Sequence, residues 1–164
     1  MLYKKKWSGI NIDANPLSVE LFNVARPNDY NFNLAITDKK KKIKLFYRRK
    51  MNALNTTNEK FAKINFPNGF KIANVKCSSL NKVLDKTKYK GRIIDFLNLD
   101  VESTEKDVLK SLNFNIYKPK LICVEIHFNK LKDLKFNKTY QFLLKKGYKT
   151  IWRKKYSFIF SSKS

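Results

Sequence analysis

Two pairs of side chains in this sequence have types and spacing suited to acid–base work. Asp100 and Glu102 stand two residues apart beyond the apolar run IIDFLNL, and Glu125 and His127 repeat that spacing at the end of LICVEIH. On an extended chain residues two apart share a face, so each pair would present both groups together. Carboxylates so placed can orient a hydroxyl, take its proton, or hold a hard cation. His127 is the only histidine and so the first candidate for a base near neutral pH, with a structural hydrogen-bonding role of equal weight. Helix capping competes for the acids that follow. Thr104 and Asp107 form a T-x-x-D pattern and Glu105 suits a first turn, but Asp100 precedes that helix and capping does not explain it. The four candidates lack diagnostic metal-ligand spacing, and no metal is expected.

Asp13 closes another apolar stretch, GINID. In nucleotide-binding α/β folds an acid there accepts hydrogen bonds from ribose hydroxyls. The alternative is an acid stabilised by the dipole of the helix it precedes. Asn15, followed by Pro16, reads as the cap of that helix, and it also borders any ligand that Asp13 would bind.

The elements that must position these groups follow from periodicity. LSVELFNVA carries helical spacing and is broken at Arg26-Pro27, after which YNFNLAI alternates as one strand. KKIKLFYRR reads as a strand in a hairpin-like excursion with ALNTT, residues 58 to 69 as a loop or short helix, and FKIANVKC as a strand with Ser78 capping the helix SLNKVLDK. The region from Ile93 to His127 reads as two near-continuous apolar strands joined by a helix, the signature of a parallel sheet covered on both faces. Asp133 to Lys146 reads as a helix stopped near Gly147, and GYKTIWRKKYSFIF as two strands around the basic turn Arg153 to Lys155. This order predicts an α/β three-layer sandwich, a mostly parallel sheet closed by a terminal antiparallel hairpin. Ligands in such sheets sit beyond the carboxyl ends of the strands, where the candidate acids fall.

Composition bounds the rest. The chain has 164 residues, 43% of them hydrophobic, which suits one domain with a substantial core. It has no apolar run of bilayer length and no secretory leader, and Cys77 and Cys123 read as free thiols, so the expectation is a cytoplasmic protein. The net charge of +23 raises nucleic acid as a partner. Only five of the 36 basic residues are arginine, however, and the abundant Lys, Asn, Ile and Phe share A/T-rich codons. A solvated basic surface without specific nucleic-acid binding is the expectation, and a basic nucleic-acid-binding accessory protein is the weaker alternative. Trp7 and Trp152 read as packing residues.

Four blocks, WSGINIDANP with ARPNDYNFNLAI, VKCSSLNKVLD, IDFLNLDVESTEKDVLKSL and YKPKLICVEIH, resemble in type and order the FkbM-type S-adenosylmethionine-dependent methyltransferases. The third block is the most specific, being similar to the family's strand with an Asp-x-Glu-Gly-x-Glu ending. The resemblance implies the class I methyltransferase variant of the Rossmann-like fold, S-adenosylmethionine as cofactor, and a hydroxyl of a sugar, glycan or small metabolite as methyl acceptor. It implies that Asp13, beside Asn15, meets the cofactor ribose, and that Asp100, Glu102, Glu125 or His127 handles the acceptor.

Two departures accompany the resemblance. Ser103 stands where the family has glycine. The family's first strand and acidic, glycine-rich cofactor loop have no counterpart: Gly9, Gly69, Gly91 and Gly147 are scattered singly, and MLYKKKW reads as the end of the helix after that strand. The fold expected is therefore N-terminally truncated. An inactive or split-gene fragment, completed by an N-terminal partner or by self-association, is the alternative function. Loss of a central strand would leave sheet edges unpaired and make the isolated chain marginally stable.

Overall fold

In the computed structural model, described for residues 2–37, 39–48, 55–101 and 104–162, the chain is mixed α/β. Its contacts gather in two units, residues 1–78 and 79–164.

In the first unit, a 3₁₀ turn at Tyr3–Lys5 precedes β1 (Ile10–Asp13), α1 (Pro16–Ala25) and β2 (Tyr30–Asn33). β1 and β2 are parallel neighbours, and α1 packs on both with Val19 buried. Asn15 caps α1 by accepting the Leu17 N–H at 3.1 Å, and Pro16 occupies the first helical position, where no backbone donor is needed. The stretch expected as one strand is two. Leu34 donates to the Asp13 carbonyl at 3.1 Å, and β3 (Ala35–Ile36) then pairs with a different sheet. The reason is that β1 turns into α1 after Asp13 and leaves nothing further to pair with.

That second sheet has the order β3-β5-β4, with β4 at Lys42–Tyr47 and β5 at Lys71–Ser78. β5 is parallel to β3 and antiparallel to β4. The excursion after β4 returns as expected, Phe46 and Thr56 exchanging backbone hydrogen bonds of 2.8 and 3.0 Å. The undecided stretch contains a helix, α2 (Glu59–Asn65), capped by Asn58. Its Ala62, with Phe66, packs on Phe46, whose ring meets Phe70 edge-on at 5.3 Å.

The second unit opens with α3 (Leu80–Leu84). Its cap is Ser79, which accepts the Lys82 N–H at 3.2 Å; Ser78 belongs to β5, opposite Ile36. β6 (Phe96–Leu99), α4 (Glu105–Lys110), α5 (Phe114–Tyr117) and β7 (Leu121–Glu125) form the expected strand–helix–strand segment. Thr104 does not cap α4 with its side chain; its hydroxyl donates to the Val101 carbonyl at 2.8 Å. The helix expected from Asp133 is a 3₁₀ turn, Leu131–Phe136, followed by α6 (Lys138–Lys145). α6 is capped by Asn137, which accepts from Thr139 and Tyr140. β8 (Tyr148–Lys154) and β9 (Ser157–Ser162) close the unit as an antiparallel hairpin.

The strand order here is β6-β7-β9-β8, with β6–β7 parallel and the other two pairings antiparallel. The described strands thus fall into separate small sheets of mixed direction, where one mostly parallel sheet was expected. The face of this sheet bearing Leu99, Ile122, Val124, Phe158, Phe160 and Tyr148 is buried. Tyr140 of α6 stacks edge-on against Phe158 and Phe160, and Phe114 of α5 against Tyr148. Tyr148 completes this core by donating its hydroxyl to the Pro119 carbonyl at 2.6 Å. Burial pushes that hydroxyl up to about 12.

Candidate active site

The acidic edge of the second unit is built by strand register. Leu99 of β6 lies opposite Val124 of β7, and both strands run the same way. Asp100 and Glu125 are the next residues along each, so the two acids leave the sheet side by side at its carboxyl edge. Asp100 is exposed and Glu125 partly buried. Neighbouring Cys123 feels this edge: burial first, and then the charge of Asp100, raises its thiol above the usual range.

His127 lies two residues beyond the end of β7, outside the strand in which it was expected. Its Nε2 is 4.0 Å from a Glu125 oxygen, and its ring lies 4.8 Å from that of Tyr156, in the β8–β9 turn. The backbone fixes this contact, because Ile126 donates to the Tyr156 carbonyl at 2.8 Å. Sequence reading did not single out Tyr156; its only signal is that it follows the basic turn of a hairpin. The register thus sets Asp100 and Glu125 at one edge, and His127 lies near Glu125. Glu102 and Ser103 lie outside the described residues. Among the described residues no cluster of three His, Cys, Asp or Glu side chains could hold a metal ion. A carboxylate pair beside an imidazole can hold a hydroxyl and accept its proton.

Asp13 ends β1 in the first unit. Its Oδ1 accepts the Asn15 backbone N–H at 2.7 Å, which fixes the strand-to-helix turn, and Asn33 donates its amide to the carbonyls of Asp13 and Ala14 at 3.0 Å each. Asn15 has the capping role described above. Beside it, Pro16, Leu17, Glu20, Leu45, Tyr47 and Ala73 line a cavity of about 90 Å³. That is well below the ~300 Å³ or more of a typical small-molecule site. For an adenosyl cofactor, the fit is confined to one end: Asp13 suits a ribose, while the four glycines stand in separate turns or loops and form no cradle for the rest.

Asp29, overlooked in the sequence, organises the same region. Its fully buried side chain accepts from the Gly9 N–H at 2.9 Å and the Asn11 amide at 3.3 Å, and pairs with Arg26 at 2.6 Å. It holds β1 against β2 at the end opposite Asp13. Trp7 and Trp152, read from the sequence as packing residues, are 41% and 47% exposed.

Acids at the carboxyl ends of parallel strands stand where α/β folds commonly bind ligands. The family match is more specific than that placement. The model of the methyltransferase FkbM domain covers residues 1–150, and the chain belongs to that family. The matched span contains all four sequence blocks and assigns the chain to the methyltransferases. No curated protein and no solved structure matches it.

Proposed function

We propose that this protein is an S-adenosylmethionine-dependent methyltransferase of the cytoplasm, acting on a hydroxyl of a sugar, glycan or other small metabolite. The family match over residues 1–150 carries the reading. The pairing of β6 with β7, which delivers Asp100 and Glu125 to one edge, supports it. The fold proposed is a single three-layer Rossmann-like domain spanning residues 1–164. S-adenosylmethionine, when bound, supplies the methyl group. Asp13 accepts ribose hydroxyls through the oxygen that the Asn15 N–H leaves open. Asp100 and Glu125 hold the acceptor hydroxyl, and His127 or a carboxylate takes its proton. Positioning of this kind supplies much of the rate of a two-substrate reaction. Incubating the chain with methyl-labelled cofactor and a panel of sugars and other hydroxyl compounds tests the reading. Label transferred to a hydroxyl supports it, and label transferred only to nitrogen or carbon acceptors contradicts it.

A second reading, a domain completed by a further strand, is kept for test. Among the described residues β1 pairs only with β2, and β6 only with β7, so each keeps one unpaired edge. Buried backbone groups left unpaired cost about 1–3 kcal/mol each. Size-exclusion chromatography with thermal melting separates the readings. A self-associated or low-melting chain favours completion by a partner strand, whereas a monomer with a sharp, high-temperature transition contradicts it.

A further inference from the structure

The β8–β9 hairpin carries a surface that neither the buried core nor the acidic edge explains. From Tyr148 to Ser162 it has four cations, Lys149, Arg153, Lys154 and Lys155, and no acid. None of the four is in an ion pair among the described residues. β8 is the outer strand of its sheet, and its register slips between Thr150 and Trp152. Ile151, at that slip, is 53% exposed, Trp152 is 47% exposed, and Tyr156 in the turn is 40% exposed.

Cations and a bulge on an outer strand guard against edge-to-edge aggregation. That accounts for the lysines and the register slip. It does not account for an isoleucine and a tryptophan set side by side in solvent, since polar residues would guard the edge better. Basic side chains around exposed aliphatic and aromatic groups are the composition of a membrane-interface contact, the cations meeting headgroups and the rings lying at their level.

We propose that the β8–β9 hairpin docks the protein on an anionic membrane surface. Lys149, Arg153, Lys154 and Lys155 meet the phosphates, and Ile151 and Trp152 enter the boundary between headgroups and acyl chains. Charge complementarity selects an anionic occupant, because the hairpin carries four cations and no acid. Single-stranded nucleic acid would also use the cations and rings. It offers nothing, however, to the aliphatic Ile151, and the hairpin has no Asn or Gln to read a base. Among the described residues no helix is long and apolar enough to cross a membrane. Tyr156 packs on His127, so the docked turn brings the end of β7 to headgroup level.

The test is co-sedimentation of the full chain with vesicles of phosphatidylcholine alone or mixed with phosphatidylglycerol. Binding to the anionic vesicles only is expected. The charge-neutral variant Ile151→Thr/Trp152→Thr, chosen to keep strand propensity, is expected to bind about tenfold more weakly, about 1.4 kcal/mol. Arg153→Ala/Lys154→Ala/Lys155→Ala is expected to lose most of the salt dependence. In a Trp7→Phe background, Trp152 emission should shift to the blue on vesicle addition, a readout that needs no hairpin variant. Absent or equal binding to the two vesicle types would overturn the proposal. So would an unshifted Trp152 emission, or undiminished binding by the Ile151/Trp152 variant, because a polycation would then adhere by charge alone. Tighter binding to a single-stranded oligonucleotide, with the same loss in that variant, would assign the surface to nucleic acid instead.

Discussion

The carboxylate of Asp13 and the backbone N–H of Asn15 are joined by a 2.7 Å hydrogen bond, and Asn15 in turn caps α1. Asp13 therefore sets the turn from strand to helix, and in the function proposed here it also meets the cofactor ribose. The two roles separate by mutation. Asn15→Ala should cost about 1 kcal/mol of stability, the usual value of a cap, and leave cofactor affinity unchanged. Asp13→Ala should weaken S-adenosylmethionine binding about tenfold, while Asp13→Asn keeps the turn acceptor and loses only the charge. Urea denaturation and calorimetric titration of the three variants check this. Equal affinity across the series would remove Asp13 from the cofactor site.

Asp29 has a purely structural role. Removing it leaves the Arg26 guanidinium without its carboxylate and the Gly9 N–H without its acceptor, while the Asn11 amide keeps its bond to Asn31. Breaking one partner of a buried ion pair costs about 3–5 kcal/mol, so Asp29→Ala should lower the urea midpoint sharply. Asp29→Asn, which retains a carbonyl acceptor for Gly9, should lose less.

Tyr148 gives the second unit a defined alkaline response. Its hydroxyl titrates at about 12 in the folded chain, above the ~10 of an unfolded tyrosine. A raised value means that the folded state favours the protonated form. The associated stability is therefore fully present below about pH 10 and is lost as pH rises toward 12. Tyr148→Phe should cost about 1–3 kcal/mol at neutral pH, because the Pro119 carbonyl loses its buried donor. It should also flatten the decline in stability between pH 10 and 12, as read by urea melts along a pH series.

The acidic edge makes a kinetic prediction. If Asp100, Glu125 and His127 handle the acceptor proton, Glu125→Gln and His127→Ala should each lower kcat about a hundredfold, with unchanged circular dichroism. A variant series with full activity would return these residues to a surface role.

Local signals were legible in the sequence and long-range ones were not. The start of α1 was readable because Asn15 and Pro16 act on the backbone beside them. The adjacent serines were not separable, since only pairing with Ile36 shows that β5 runs through Ser78 and leaves Ser79 as the cap. The start of α6 was misplaced because Asp133 sits in a preceding 3₁₀ turn and the true cap, Asn137, lies four residues on. YNFNLAI divides because its first half has β1 to pair with and its second half has β5. Asp29 binds groups up to 20 residues away, a relationship that periodicity does not carry. Trp152 reads as a packing residue by type, and the register slip beside it in β8 is not readable from composition. At the candidate site, the parallel pairing of β6 with β7 was legible because two apolar runs around a helix specify it. The contact of Tyr156 with His127 was not, because it depends on how the hairpin returns.

The central claim is that this chain uses S-adenosylmethionine, and calorimetric titration of the folded full chain with that cofactor tests it most directly. Saturable binding, displaced by S-adenosylhomocysteine and weakened by Asp13→Ala, is the result expected. A chain that is folded by circular dichroism and melts cooperatively, yet releases no heat with the cofactor, would contradict it.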